Sequence, residues 1–315
     1  MQWFAQAPSN IALIKYMGKK STGNNIPINP SLSYTLNNLV SSVMLEKLAG
    51  KKDFWEPLDA PGALPFDLSS EAIDRFLQHL ARIKTDYKYT GGFMVRSSSN
   101  FPHNCGLASS ASSFAALTKC AVLALSELTS KPLLSIEEQA NLSRKGSGSS
   151  CRSFFSPWAL WEEESVKAID LPYNQLIHQV IVISSHAKEV SSSDAHERIK
   201  SSLLYPARSN RAKENLKLLL NAFAVRNWGD AFQVCWREFQ DLHQLFTTCS
   251  QSFTYMTDQT KLALQTLQDF WLREGDGPLV TMDAGPNIHL LYRSDQEEMA
   301  HKFKQDYLIG NYDFI

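Results

Sequence analysis

Lysines, arginines and one aspartate, set beside glycine and serine, are the residues of this 315-residue chain that could do chemistry. The run Ala7-Pro-Ser-Asn-Ile-Ala-Leu-Ile-Lys-Tyr-Met-Gly-Lys19 ends an apolar strand at Lys15, with Asn10, Tyr16 and Lys19 close by. Cations and hydrogen-bonding side chains gathered at one strand end suit an anion, although a lysine there can also extend its stem to solvent. In Arg144-Lys-Gly-Ser-Gly-Ser-Ser-Cys-Arg152, basic residues flank small ones. The glycines let a ligand approach the backbone, and serine hydroxyls with guanidinium forks match phosphate or carboxylate oxygens. A flexible surface loop is the plainer alternative, but the aromatic stretch Phe154 to Trp161 directly behind argues for anchoring on a core. Asp283-Ala-Gly-Pro-Asn287 puts a carboxylate at a strand end before a tight turn. It can be only a turn cap. If the fold aims it into a pocket holding Lys15, it can accept a proton from a substrate hydroxyl.

A further segment offers a phosphate cradle. Phe93, Val95 and Ser97 alternate as in a half-buried strand, and Phe114, Leu117, Ala121 and Leu125 recur at helical spacing. Between them, Gly106, Ala108 and the serines leave little bulk over the first-turn N–H groups, with Ser109 or Ser110 as N-cap. Unpaired donors and the helix dipole attract phosphate at such an end. An ordinary capped helix after a turn fits the same residues.

The remaining chain must position these groups. Its length allows two lobes of roughly 150 residues, and 43% apolar with 20% charged residues is a globular composition. A net charge of −1 provides no global field for nucleic acid or an anionic membrane. No uninterrupted apolar run reaches a membrane span, and the first residues lack a signal-peptide pattern. Cys105, Cys120, Cys151, Cys235 and Cys249 are scattered, without a C-x-x-C pair, which suits reduced thiols and a cytoplasmic protein. The histidines show no metal-ligand spacing; His103 reads as a surface residue, and His186 and His196 as solvent-exposed. Dinucleotide, P-loop and nucleophile-elbow motifs are absent.

Strands are expected over 11–14, 40–45, 180–183, 279–283 and 288–292, with helices over 71–83, 136–143, 210–221 and 228–246. The proline-bearing stretch 53–66 reads as loop. Strands and helices follow no regular βαβ rhythm, so the pattern predicts α+β rather than a doubly wound sheet. A composition change near residue 185 sets the expected lobes at 1–185 and 186–315.

Together, Ser9–Lys19, Asn100-Phe-Pro102 with Gly106–Ala111, Gly146–Ser153 and Met282–Asn287 resemble the signature blocks of mevalonate diphosphate decarboxylases of the GHMP kinase superfamily. The blocks occur in the family's order across nearly the whole chain. The resemblance implies the two-lobed GHMP kinase fold, a homodimer, and an active site in the cleft between lobes. It implies ATP- and Mg2+-dependent decarboxylation of (R)-mevalonate 5-diphosphate to isopentenyl diphosphate, ADP, phosphate and CO2, with small molecules rather than nucleic acid or membrane as partners. By position, Asp283 would be the catalytic carboxylate near the C3 hydroxyl, and Lys15 would neutralise charge on the transferred phosphoryl group. Arg152 would hold the substrate carboxylate beside Ser147 and Ser149. Asn10 would contact substrate, while Tyr16 and Lys19 would meet the diphosphate. Gly106, Leu107, Ala108, Ser109 and Ser110 would form the ATP phosphate loop, and Lys188 and Ser192 would lie on a closing loop.

The chain departs from the family pattern in three places. Met17 stands where Trp is usual, His103-Asn-Cys105 replaces Thr-Ala-Ala, and Ser193-Asp-Ala-His-Glu-Arg198 replaces a Gly-Met-bearing loop. Decarboxylases of mevalonate monophosphate, other GHMP small-molecule kinases and a catalytically silent nucleotide sensor share the architecture. The set of Asp283, Lys15 and Arg152 favours a decarboxylase.

Overall fold

Two long strands form the spine of the molecule. The computed structural model describes the chain apart from residues 21–22, 65–67, 103–108 and 186–188. Strand β1 (Gln2–Ile14) pairs antiparallel with β2 (Ser31–Lys47), each far longer than its apolar stretch indicates. The register shifts between Ala12 and Ile14, immediately before Lys15. Such an irregularity bends a strand and re-aims the residues beyond it.

Around this pair, β3 (Phe54–Pro57), α1 (Ser70–Tyr87), β4 (Phe93–Ser99), α2 (Ser109–Thr129), α3 (Ile136–Arg144), β5 (Trp158–Glu162) and β6 (Ser165–Ile169) complete the first layer pair. The sheet order is β3-β4-β2-β5-β6, with β1 on β2. The prolines of 53–66 disguise β3, which runs parallel to β4 with Pro57 as its last residue. An edge strand tolerates that proline, so the expected loop is corrected there. Helix α2 is long and apolar, but it packs Leu117, Cys120, Ala121 and Leu125 against Val43, Leu45 and Phe76 and is a core helix.

Next come β7 (Leu176–Val182), α4 (Ser192–Arg198), α5 (Arg208–Ala224), α6 (Trp228–Thr247) and α7 (Asp258–Glu274). The chain ends with β8 (Leu279–Thr281), β9 (Ile288–Arg293), α8 (Glu297–Phe303) and β10 (Asp313–Phe314). The second sheet reads β10-β7-β9-β8. Strand β7 pairs with β9 and β10, so the change of sheet falls between Ile169 and Leu176, ahead of the boundary expected at 185. The composition marks the polar loop after β7, whereas hydrogen bonding assigns β7 itself to the second layer. One apolar core joins both halves, with Ile11, Leu13 and Leu32 packed together with Leu216, Phe239, Leu264 and Leu290.

Candidate active site

Lys15 leaves β1 and is gripped at its backbone before its side chain does anything. Its N–H donates to Glu238 Oε1 (2.9 Å), and its carbonyl accepts from Asn29 Nδ2 (2.9 Å) and Arg208 Nη2 (3.1 Å). Glu238 on α6 also accepts from Arg208, and from Asn215 Nδ2 at 2.6 Å. Arg208 Nη1 reaches Asp241 Oδ2 at 2.7 Å, and Arg211 closes the cluster on Asp241 Oδ1. Arg208 and Glu238 are fully buried, and an interior ion pair becomes tolerable through this kind of added hydrogen bonding.

From that anchor the ammonium of Lys15, itself 1% exposed, lies 2.7 Å from Asp283 Oδ1. Burial lowers the Lys15 pKa although Asp283 and Glu238 oppose it. Burial pushes the Asp283 carboxyl up, but the charges of Lys15, His289 and Arg152 outweigh it and leave the carboxyl below its ordinary value. Asp283 is therefore an ionised carboxylate, held by a cation on one oxygen. Its backbone is fixed too: the carbonyl accepts from the Gly285 N–H (2.8 Å) and from His243 Nε2 (3.2 Å). His243 is buried, which pushes its pKa down to about 4, so the ring is neutral and carries its proton on Nε2.

Arg152 completes this end. It lies in a short 3-10 helix, Gly148–Phe154, over the Trp161 ring at 5.7 Å. Its Nε donates to Asn10 Oδ1 (3.1 Å) and Nη1 to Ser31 Oγ (2.8 Å). Among the described residues it has no ion-pair partner, although it is 3% exposed. Neutral acceptors thus aim the fork without neutralising its charge.

These groups line one cavity of about 220 Å³. Tyr16, Lys19, Arg75, Ser109, Ser110 and Ser147 line it as well. Burial lowers the Lys19 pKa, Glu197 opposes this, and Arg75 and Lys200 add to it. Neither Lys19 nor Arg75 has a direct ion-pair partner among the described residues, although Glu197 is close enough to act on Lys19. Gly148 is required by packing: a Cβ there would lie 2.6 Å from Tyr16 Cε1. Ser109 begins α2, and Ser110 Oγ lies 3.4 Å from Ser147 Oγ. Ser149 and Ser192 also line the cavity.

The expected site residues therefore converge, with corrections. Asn10 is 1% exposed and bonds Arg152 and Ser153 from behind, so it orients the arginine instead of facing the cavity. His196 is buried against Tyr16, with ring centroids 4.6 Å apart, rather than solvent-exposed as its polar neighbours suggest. Met17 joins an apolar cluster with Val190, Leu242 and Phe246, filling the wall with aliphatic bulk. Gly106, Leu107, Ala108 and Lys188 lie outside the described residues, as do His103, Cys105 and His186. Sequence reasoning missed Arg75, Arg208, Glu238 and His243. Glu238 left a trace: it falls on the helical stripe of Val234, Cys235, Phe239 and Leu242, where an unpaired carboxylate is costly.

Known proteins match this chain over nearly its whole length. A family model for the diphosphomevalonate decarboxylase-like N-terminal domain matches residues 7–169, and one for the mevalonate 5-diphosphate decarboxylase C-terminal domain matches residues 178–311. The chain belongs to the diphosphomevalonate decarboxylase family. Among relatives, the diphosphomevalonate decarboxylase of Debaryomyces hansenii is 30% identical, the alignment covering 93% of this chain and 80% of that one. The crystal structure of a mevalonate diphosphate decarboxylase from Legionella pneumophila is 64% identical and superposes with a TM-score of 0.95 over 100% of both chains. A family structure solved in complex with MVAPP, AMPPCP and magnesium is 26% identical, with a TM-score of 0.87 over 100% of this chain and 95% of that one. The fold is the two-lobed GHMP kinase architecture of this family, and its helices and mixed sheets are α+β as the pattern predicts.

Proposed function

We propose that the protein uses ATP to decarboxylate (R)-mevalonate 5-diphosphate, giving isopentenyl diphosphate, ADP, phosphate and CO2. The observation that carries this reading is a single cavity holding the Lys15–Asp283 pair beside an unneutralised Arg152. A kinase that keeps its product's carboxyl group has no need of the third element.

The substrate's C3 hydroxyl is assigned to Asp283. A carboxylate held below its ordinary pKa is a weak base toward an alcohol, so it orients the hydroxyl and takes its proton as the new oxygen–phosphorus bond forms. Lys15 holds that carboxylate and places positive charge beside the phosphoryl group in flight. The phosphorylated C3 oxygen is a good leaving group, and its departure leaves positive charge at C3. The adjacent carboxylate then loses CO2, its bonding pair becoming the alkene. Arg152 orients the carboxylate before that step. Its fork is shared with Asn10 and Ser31, which limits how tightly it holds a group that must leave.

Lys19 and Arg75, which line the cavity with Tyr16, suit the diphosphate, whose negative charge complements theirs. Ser109 and Ser110 line the cavity at the start of α2 and are assigned to the ATP phosphates, while Ser147 and Ser149 are assigned to the substrate beside Arg152. Magnesium bound with ATP supplies charge neutralisation of those phosphates. The reading includes a homodimer and a cytoplasmic location, in keeping with buried thiols at Cys120, Cys151, Cys235 and Cys249. One assay tests the reaction: ATP, Mg2+ and mevalonate 5-diphosphate, with ADP and CO2 measured together. Equal yields are expected. ADP without CO2 would identify a kinase, and preference for the monophosphate would remove the role of Lys19 and Arg75.

A further inference from the structure

The turn between Lys15 and Lys19 is held from two directions. Gly18 sits at φ +99°, where a Cβ would meet Ile28 Cδ1 at 2.5 Å, so the turn admits only glycine. Its carbonyl accepts from the Ile28 N–H (3.3 Å), within the chain's own return toward β2. Its N–H donates to His196 Nδ1 at 2.9 Å, and His196 belongs to α4. That bond leaves the neutral ring's proton on Nε2. The same ring packs on Tyr16 and lines the cavity, within the 193–198 segment that departs from the family pattern. One side chain on α4 therefore contacts both the aromatic residue and the glycine that precede Lys19.

We propose that His196 is a positioning residue for the diphosphate end of the site: it latches the Tyr16–Lys19 turn onto α4 and so fixes where the Lys19 ammonium stands. The proposal rests on the assignment of Lys19 to a diphosphate. Glu197 attracts the Lys19 ammonium while Arg75 and Lys200 repel it, so charge alone does not fix its place, and a loose turn would let it swing toward solvent. The latch resists that motion through a backbone bond, so the cation is in place before the anion arrives. The ordering cost is met in folding rather than in binding. Ser191, Ser192 and Ser193, on the same cavity rim, are carried on the segment that the latch ties down.

Two variants separate the parts of the latch. His196→Phe keeps a ring against Tyr16 but offers Gly18 no acceptor. His196→Asn offers an acceptor oxygen near the Nδ1 position without the ring. Calorimetry with inorganic pyrophosphate is expected to show roughly tenfold weaker binding for His196→Phe, the scale of one hydrogen bond with its positioning effect, and near-normal binding for His196→Asn. In steady state, the KM for mevalonate 5-diphosphate should rise in parallel, with the effect concentrated in KM rather than kcat, and the KM for ATP should stay unchanged. Where His196→Phe does not fold, His196→Ala lacks the same acceptor and serves in its place. Pyrophosphate that binds all three proteins equally, or binds none, overturns the latch, as does equal weakening in both variants. A wild-type protein inactive on mevalonate 5-diphosphate, yet showing the pyrophosphate difference, would overturn the proposed substrate and leave the latch standing.

Discussion

Two buried ion clusters lie back to back on Lys15, and they differ in how completely they are satisfied. Behind the backbone, Arg208, Glu238, Asp241 and Asn215 exchange several hydrogen bonds, and both members of the central pair are sealed from solvent. In front, Lys15 and Asp283 share one contact, and the Asp283 side chain is 25% exposed toward the cavity. The rear cluster turns its bonds inward and none of its residues lines the cavity, so it holds geometry. The front cluster keeps a carboxylate oxygen and a neighbouring uncompensated guanidinium for substrate. Two ion clusters on one residue thus take opposite roles, and the number of internal partners and the opening of Asp283 to the cavity distinguish them.

Removing one charge from each cluster gives the sharpest contrast. Arg208→Met should cost about 3–5 kcal/mol of stability, as expected for orphaning buried Glu238, read from denaturant unfolding. A variant of near-normal stability would remove the structural role assigned to the rear cluster. Asp283→Asn should instead fold normally and lose at least about a hundredfold in kcat, the scale of a missing proton acceptor. Near-normal turnover in a folded protein would reduce Asp283 to a turn residue.

Smaller effects sharpen the boundary between the clusters. Arg152→Lys retains charge but loses the planar fork, so kcat/KM should fall by roughly 2–3 kcal/mol in transition-state terms. Its melting temperature should fall less than that of Arg208→Met, because the internal bonds lost are to the neutral acceptors Asn10 and Ser31 and leave no buried carboxylate unpaired. A large drop in melting temperature with normal specific activity would move Arg152 into the structural set. The smallest effect concerns pH. Because the folded Asp283 pKa lies below its ordinary 3.8, its ion pair stabilises the fold above that value, and the contribution is lost as pH falls through the lower folded value. Between about pH 5 and 8, kcat should therefore show no acid limb from Asp283. An acid limb in that range that vanishes in Asp283→Asn would contradict the ionised state that the surrounding cations impose.

Local patterns made much of this legible. The apolar periodicities of α1, α3, α5 and α6 mark helices close to their observed spans. The glycine and proline after Asp283 mark the turn that presents it. Patterns failed where partners are distant in the chain. Strand β3 exists because β4 supplies its hydrogen bonds, which overrides the proline signal. Strand β7 joins the second sheet because β9 and β10 flank it, whatever the composition of the loop beyond. His196 looks exposed among serines and charges, yet Tyr16 and Gly18, some 180 positions earlier, bury it.

Residue order alone sets which chemical groups are available and in what local setting: a lysine closing an apolar strand, an arginine after small residues, and a carboxylate before a tight turn. Those properties depend on neighbours within a few residues, where backbone sterics and periodicity act. Folding of the two sheets onto one core brought Lys15 to Asp283 across 268 positions. It likewise placed Asn10 behind Arg152 rather than in the cavity, and clamped the Lys15 backbone with a buried arginine and glutamate. Electrostatic pairing and burial depend on distance in space, and chain separation carries no record of that distance until the two sheets share a core.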